Sequence, residues 1–128
     1  MKQKGIYSAE APAPVGTYSQ AVEHGGLWFI SGQLPVNPLS GDIVDGDIEK
    51  QTKQVMDNIG AILRSGGYSF SNIIKTTIFL TDLQYFTRVN QIYAGYFSGE
   101  LYPARSCIEV SGLPKGAMIE IEVIARVD

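Results

Sequence analysis

Met118-Ile119-Glu120-Ile121-Glu122-Val123-Ile124-Ala125-Arg126-Val127 alternates almost without a break. Ile119, Ile121, Val123, Ala125 and Val127 fall on one side of a two-residue repeat. Glu120, Glu122, Ile124 and Arg126 fall on the other. That period belongs to a strand with one apolar face turned to a core. Upstream, beyond a loop holding Gly112, Pro114 and Gly116, the run Ala104 to Val110 reads as a second strand. Further back, Ile73 to Leu80 is dense in β-branched residues and bounded by Ser71-Asn72 and Thr81-Asp82, which predicts a third.

Between these strands the period changes. Leu83, Phe86, Val89, Tyr93, Tyr96 and Phe97 recur at helical spacing after Thr81 or Asp82 as N-cap, and the run ends at Gly99. From about Asp47, the residues Val55, Ile59, Ile62 and Leu63 mark an earlier helix that stops at Gly66-Gly67. Tyr18 to Val22 and Leu27 to Ser31 flank the turn Glu23-His24-Gly25-Gly26 and suit a hairpin. Gly32 to Gly46 reads as a long ordered loop of a length that is often functional. Ahead of Gly16, the segment with Ala11-Pro12-Ala13-Pro14 is expected to be an extended lead-in, because each proline disfavours helix in the residue before it. The order strand, strand, helix, strand, helix, strand, strand makes an α+β fold with both helices on one face of the sheet. The other face then needs cover, and a closed symmetric oligomer would supply it.

The chain has 128 residues and 13.9 kDa, 45% of them hydrophobic and 18% charged, which fits a single domain spanning residues 1–128. Ten Lys and Arg against thirteen Asp and Glu give a net charge of −3, with no basic block of the kind a nucleic-acid binder carries. One cysteine, Cys107, and one histidine, His24, leave no zinc-ligand pattern. Residues 1–10 lack the apolar core of a signal peptide, and no run approaches the roughly 18 to 20 apolar residues of a membrane span. The expected setting is the cytoplasm, without membrane or nucleic-acid partners.

No phosphate-cradling glycine motif is present. His24, beside two glycines, reads as a solvated turn residue rather than a base. Cys107, inside a strand pattern, reads as a small hydrophobe. Arg105 is more informative, because it stands at the mouth of a strand that otherwise wants apolar residues. It could pair with Glu120 or Glu122 across neighbouring strands. Equally, its planar fork could receive a ligand carboxylate through two parallel hydrogen bonds. Alternation puts Arg105, Cys107 and Glu109 on one face. Were the last two strands to pair directly, register would decide whether Glu120 shares it.

Ala11-Pro12-Ala13-Pro14, Gly16, Tyr18-Ser19-Gln20-Ala21, Ser31-Gly32-Gln33-Leu34-Pro35 and Gly41 lie in the first third of the chain. Lys75-Thr76-Thr77, Val89-Asn90, Pro103-Ala104-Arg105-Ser106-Cys107 and Ile119-Glu120-Ile121 follow. Together they resemble the RidA family, also called YjgF, of small enamine and imine deaminases, across nearly the whole chain. The resemblance implies a chorismate-mutase-like fold of the bacillus type, assembled as a homotrimer with a central barrel and clefts between subunits. It implies hydrolysis of 2-iminobutanoate, 2-iminopropanoate and similar imines to 2-oxo acids and ammonia, with no cofactor and no metal. By position, Arg105 would hold the substrate carboxylate and Glu120 would orient or deprotonate the attacking water. Tyr18, Ser31, Gly32, Asn90 and Cys107 would line the cleft.

Two features depart from many members: Thr17 replaces a proline, and the segment Ser98 to Tyr102 is short. Both bear on substrate range. The alternative reading is a regulatory trimer that binds 2-oxo acids without turnover, and Glu120 discriminates, since a pure binder needs no water-activating carboxylate. RNA cleavage, a third activity attached to relatives, sits poorly with the acidic balance and the absence of a basic stripe interleaved with aromatics.

Overall fold

In a computed structural model the described residues are 2–127; Met1 and Asp128 lie outside them. Six strands form one sheet: β1 (Lys4–Ile6), β2 (Ala21–His24), β3 (Leu27–Gln33), β4 (Ile73–Leu80), β5 (Ala104–Glu109) and β6 (Ile119–Arg126). Two helices, α1 (Ile48–Arg64) and α2 (Phe86–Ala94), pack on one face of it. The strand order is β1-β2-β3-β6-β4-β5, an open sheet in which only β4 and β5 run parallel.

The β2–β3 hairpin turns on Gly25 (φ 61°) and Gly26 (φ 78°). Two consecutive positive φ angles are what a type I′ turn requires, and its twist matches that of the flanking strands. Asp47 caps α1 by accepting from the Lys50 amide at 3.1 Å, while Ile48, Val55, Met56, Ile59, Ile62 and Leu63 are buried. They meet Ile119, Ile121, Val123 and Ala125 of β6, all buried as the alternation predicts. The long loop after β3 is ordered by polar contacts. Asn58 of α1 donates to the carbonyls of Leu34 and Val36, at 3.1 and 3.0 Å, and Val36 bridges to Ile43.

Two expectations change and one open question is settled. The lead-in is not wholly unstructured before Gly16, because Lys4–Ile6 pairs antiparallel with β2 as an edge strand; the prolines act only from Pro12 onward. The second helix runs only from Phe86 to Ala94, preceded by a 3₁₀ turn at Leu83–Tyr85, and is followed by Gly95. Tyr96 and Phe97 instead stack on Phe70, with ring centroids 5.2 and 5.9 Å apart. Finally, the last two strands do not pair. A parallel strand needs a crossover, which α2 provides, and this carries β5 to the sheet edge outside β4. β6 then returns antiparallel into the slot between β3 and β4.

The face away from the helices is partly apolar. Phe29 and Ile108 are 45% and 46% exposed there, with Val22, Phe79 and Ile124 half-buried among Lys75, Thr77 and the two glutamates. Among the described residues, no helix is long and apolar enough to cross a membrane.

Candidate functional site

The predicted site residues separate into two clusters on opposite faces of the sheet. Arg105 pairs in register with Thr76, and Thr76 with Val123; these side chains turn toward the helices. Glu120 pairs with Phe79, on the face away from them. One chain therefore does not bring Arg105 and Glu120 together, and neither Glu120 nor Glu122 is its ion-pair partner within a subunit.

The Arg105 cluster is built on α2. Phe86, Asn90 and Tyr93 occupy positions i, i+4 and i+7 of one helical face. The guanidinium donates to Asn90 Oδ1 at 2.7 Å and lies 5.1 and 5.2 Å from the ring centroids of Phe86 and Tyr93. Two aromatic faces and one amide thus hold the fork in place without neutralising it. Tyr93 is itself anchored, its hydroxyl 2.9 Å from Thr76 Oγ1, and burial pushes its phenol up. The stacking ring therefore stays uncharged. Arg105 remains exposed at a groove of about 440 Å³ shared with Asn90, Tyr102 and Pro103. Cys107 lies on the same face, half-buried, paired with Ile78. Burial pushes its thiol up, against a smaller opposing pull from the Arg105 charge, so it is a protonated lining group. Glu109 shares this face but accepts from the Leu83 amide at 2.9 Å, a structural role.

The second cluster gathers Tyr18, Ser31, Gly32 and Glu120 around a groove of about 530 Å³. Its geometry depends on a bulge in β3. Ile30 pairs with Val123 and Gln33 with Ile121, so Ser31 and Gly32 together oppose the single residue Glu122. Bulges re-aim side chains and recur beside active sites. Ser31 is fixed there by two hydrogen bonds: its backbone N–H donates to the Gln20 carbonyl (2.9 Å) and its hydroxyl donates to the Ser19 carbonyl (2.6 Å). Gly32 permits a close approach, since a Cβ added to it would lie 2.5 Å from Glu120 Oε2. Burial first, and then the like charge of Glu122, push the Glu120 carboxyl above its ordinary range. That makes it a better proton acceptor than a surface glutamate once ionised.

His24 is exposed at the end of β2, away from both clusters. Among the described residues, no three or more His, Cys, Asp or Glu side chains gather as a metal-ligand set. Phe86 and Tyr93 were legible only as core positions. Their spacing from Asn90 is the signal that marks them as supports for Arg105.

Residues 8–127 match the family model described as Endoribonuclease L-PSP. A RutC family protein of Pyrococcus horikoshii is 52% identical over 120 residues, covering 94% of each chain. The 2-iminobutanoate/2-iminopropanoate deaminase of Rattus norvegicus is 46% identical over 123 residues, 96% of this chain and 89% of that one. A crystal structure of a conserved Rid family protein from Yersinia pestis superposes with a TM-score of 0.95 at 52% identity, covering 98% of this chain and all of the other.

Proposed function

The chain belongs to the L-PSP family, to which the RidA and YjgF proteins also belong, and from that premise and its two half-sites we propose that it hydrolyses 2-imino acids. The products are 2-oxo acids and ammonia, and 2-iminobutanoate and 2-iminopropanoate are the type substrates. The observation that carries the reading is the division itself: an uncharged-walled guanidinium fork on one face, and a half-buried carboxylate beside a bulge on the other.

A site using both needs the Arg105 edge of one subunit against the Glu120 face of the next. Such an interface joins two different surfaces, and a head-to-tail contact of that kind gives a closed ring when its rotation closes. A homotrimer with three inter-subunit sites is the assembly we infer, and it would also cover Phe29 and Ile108. Arg105 binds the substrate carboxylate and fixes the imine carbon over Glu120. Water adds to that carbon as Glu120 takes its proton, giving a carbinolamine. The same carboxyl then returns that proton to the nitrogen; as the C–N bond breaks and ammonia leaves, the carbinol oxygen forms the carbonyl and gives its hydroxyl proton back to the Glu120 carboxylate, which passes it to solvent. No cofactor is required, because a protonated imine is already a strong electrophile and the protein supplies orientation and a proton acceptor. Tyr18, Ser31 and Gly32 line this cleft from one subunit, Asn90 and Cys107 from its neighbour.

A trimer that only held 2-oxo acids would use Arg105 but gain nothing from a carboxylate beside the ligand's own negative charge. RNA cleavage would call for a basic track, whereas the chain carries −3 and its one histidine is remote from both clusters.

Subunit mixing tests the two-chain site. R105A and E120Q proteins, each inactive alone, are co-refolded in equal amounts and assayed for ammonia release from imines made in situ by a threonine or serine dehydratase. With Arg105 and Glu120 drawn from different copies, random assembly restores about a quarter of wild-type activity. No recovery from well-folded mixtures overturns the arrangement, and wild-type protein that leaves release at its spontaneous rate overturns the reaction.

The pH profile follows from the Glu120 environment. Activity rises with pH as Glu120 ionises, and removing the like charge of Glu122 lowers the pH at which it does so. Glu122→Gln therefore moves the acid limb of kcat/KM to lower pH with little change at the plateau; an upward shift contradicts the assignment. Gly32→Ala tests the close approach. The new methyl group displaces the flexible end of Glu120 rather than backbone, so thermal stability changes little while turnover falls by about tenfold or more through misplacement of the base. A fully active variant would show that the carboxylate position is not critical.

A further inference from the structure

We propose that the recess between the proline-rich arm and the loop after β3 is the subsite for the substrate's side chain, and that Lys115 braces one side of it. This deepens the imine-hydrolase reading and rests on it. The recess, about 260 Å³, is lined by apolar and polar groups together: Leu34, Val36 and Pro38 with Gln33 and Ser40, and the exposed side chains of Val15 and Leu39 at its rim. It shares Val15, Tyr18, Gly32, Leu34 and Lys115 with the groove that holds Glu120. Gly32 is the junction between them, with Glu120 packed against its Cα. A molecule whose reacting carbon sits over Glu120 thus has an adjoining recess into which its side chain can extend.

The walls are held rigidly, as selectivity by size requires. Asn37 Oδ1 accepts from the Leu39 amide at 2.8 Å, the Gly41 amide donates to the Asn37 carbonyl at 2.8 Å, and Asn58 holds the carbonyls of Leu34 and Val36. Lys115 lines the recess from the far side. It is the one non-glycine residue among those described with a positive φ, 60°, a conformation side chains rarely adopt. Its ammonium reaches across to the Gly41 carbonyl at 2.8 Å, joining the loop before β6 to the loop after β3. Strain retained at such a position points to a role for the side chain that a glycine could not fill. Lys115 is a positioning residue here, since it acts on the wall and not on the reacting atoms.

The test compares kcat/KM for 2-imino acids with unbranched aliphatic side chains of one to four carbons, generated in situ by an amino-acid oxidase. In the wild type kcat/KM rises with chain length, by about tenfold or more from the shortest to the best. Ala13→Phe, at an exposed position on the cavity rim, removes that gain while leaving the one-carbon substrate unchanged. Lys115→Met keeps the stem but not the brace, and also reduces the long-to-short ratio, whereas Lys115→Arg preserves it. Unchanged ratios in both Ala13→Phe and Lys115→Met overturn the subsite while the hydrolase reading stands. Absence of turnover on every imine overturns the hydrolase reading instead, and the subsite is then judged by the same ratios in the dissociation constants of the corresponding 2-oxo acids.

Discussion

Glu120→Gln is expected to lower turnover by about 10²- to 10⁴-fold, the range typical of losing a positioned general base, while 2-oxo acid binding weakens little or improves. The amide is nearly isosteric with the carboxylate and keeps the packing against Gly32 and the β3 bulge, so the fold has no reason to respond. What disappears is the proton acceptor. Burial and Glu122 raise the carboxyl of Glu120, which strengthens its pull on a water proton in the ionised form. In the variant the other carboxylate lining that groove, Glu122, is exposed and opposes the bulge instead of packing against Gly32, so it is not positioned to take over. Ligand affinity separates this outcome from misfolding: unimpaired binding of a 2-oxo acid with turnover lost assigns Glu120 to the chemical step. Retention of near wild-type turnover would remove it from the mechanism.

Replacement of Arg105 should act on both binding and turnover, and the nature of the replacement should matter. Each charge-assisted hydrogen bond to a carboxylate contributes about 1.5 to 3 kcal/mol. Arg105→Lys keeps the charge but gives up one arm of the fork, a loss on the order of tenfold or more in kcat/KM. Arg105→Ala gives up both, so losses of about 10²- to 10⁴-fold are expected. The structure adds a second reason why lysine is a poor substitute. A compact ammonium cannot spread its charge toward both the Phe86 and Tyr93 rings, nor present one nitrogen to Asn90 while turning the others outward. Steady-state kinetics on 2-iminopropanoate check both variants, with circular dichroism to confirm folding. Equal activity of Arg105→Lys and wild type would rule out a bidentate carboxylate contact.

The resemblance of the sequence to the RidA family agrees with the matches in sequence and structure, and the α+β layout with two helices on one face is what the chain forms. Elements with long, regular patterns were legible: α1, β4 and β6 fall where their periods place them. The β2–β3 hairpin and β5 were legible too, from their turn and β-branched signals, whereas some short or irregular pieces were not. Three residues of β1 carry too little pattern to separate from an extended lead-in, and the end of α2 is decided by where Tyr96 and Phe97 find aromatic partners. Each candidate residue could be named from motifs, and Arg105, Cys107 and Glu109 could be assigned to one face of their strand. Whether Glu120 joined them could not be read, because that depends on which strands are neighbours.

Alternation within a strand is a local property of the backbone, since successive side chains must point to opposite sides. For that reason the chain's own letters were enough to sort Ile119, Ile121, Val123 and Ala125 from Glu120 and Glu122. Strand order is a different kind of fact, settled by the crossover through α2, which needs β5 outside β4 and leaves the central slot to β6. The bulge that merges Ser31 and Gly32 opposite Glu122 is likewise set by pairing between distant segments. Tertiary structure alone thus decided that the fork and the carboxylate lie on opposite faces of one sheet, and so that a site using both must be built from two copies.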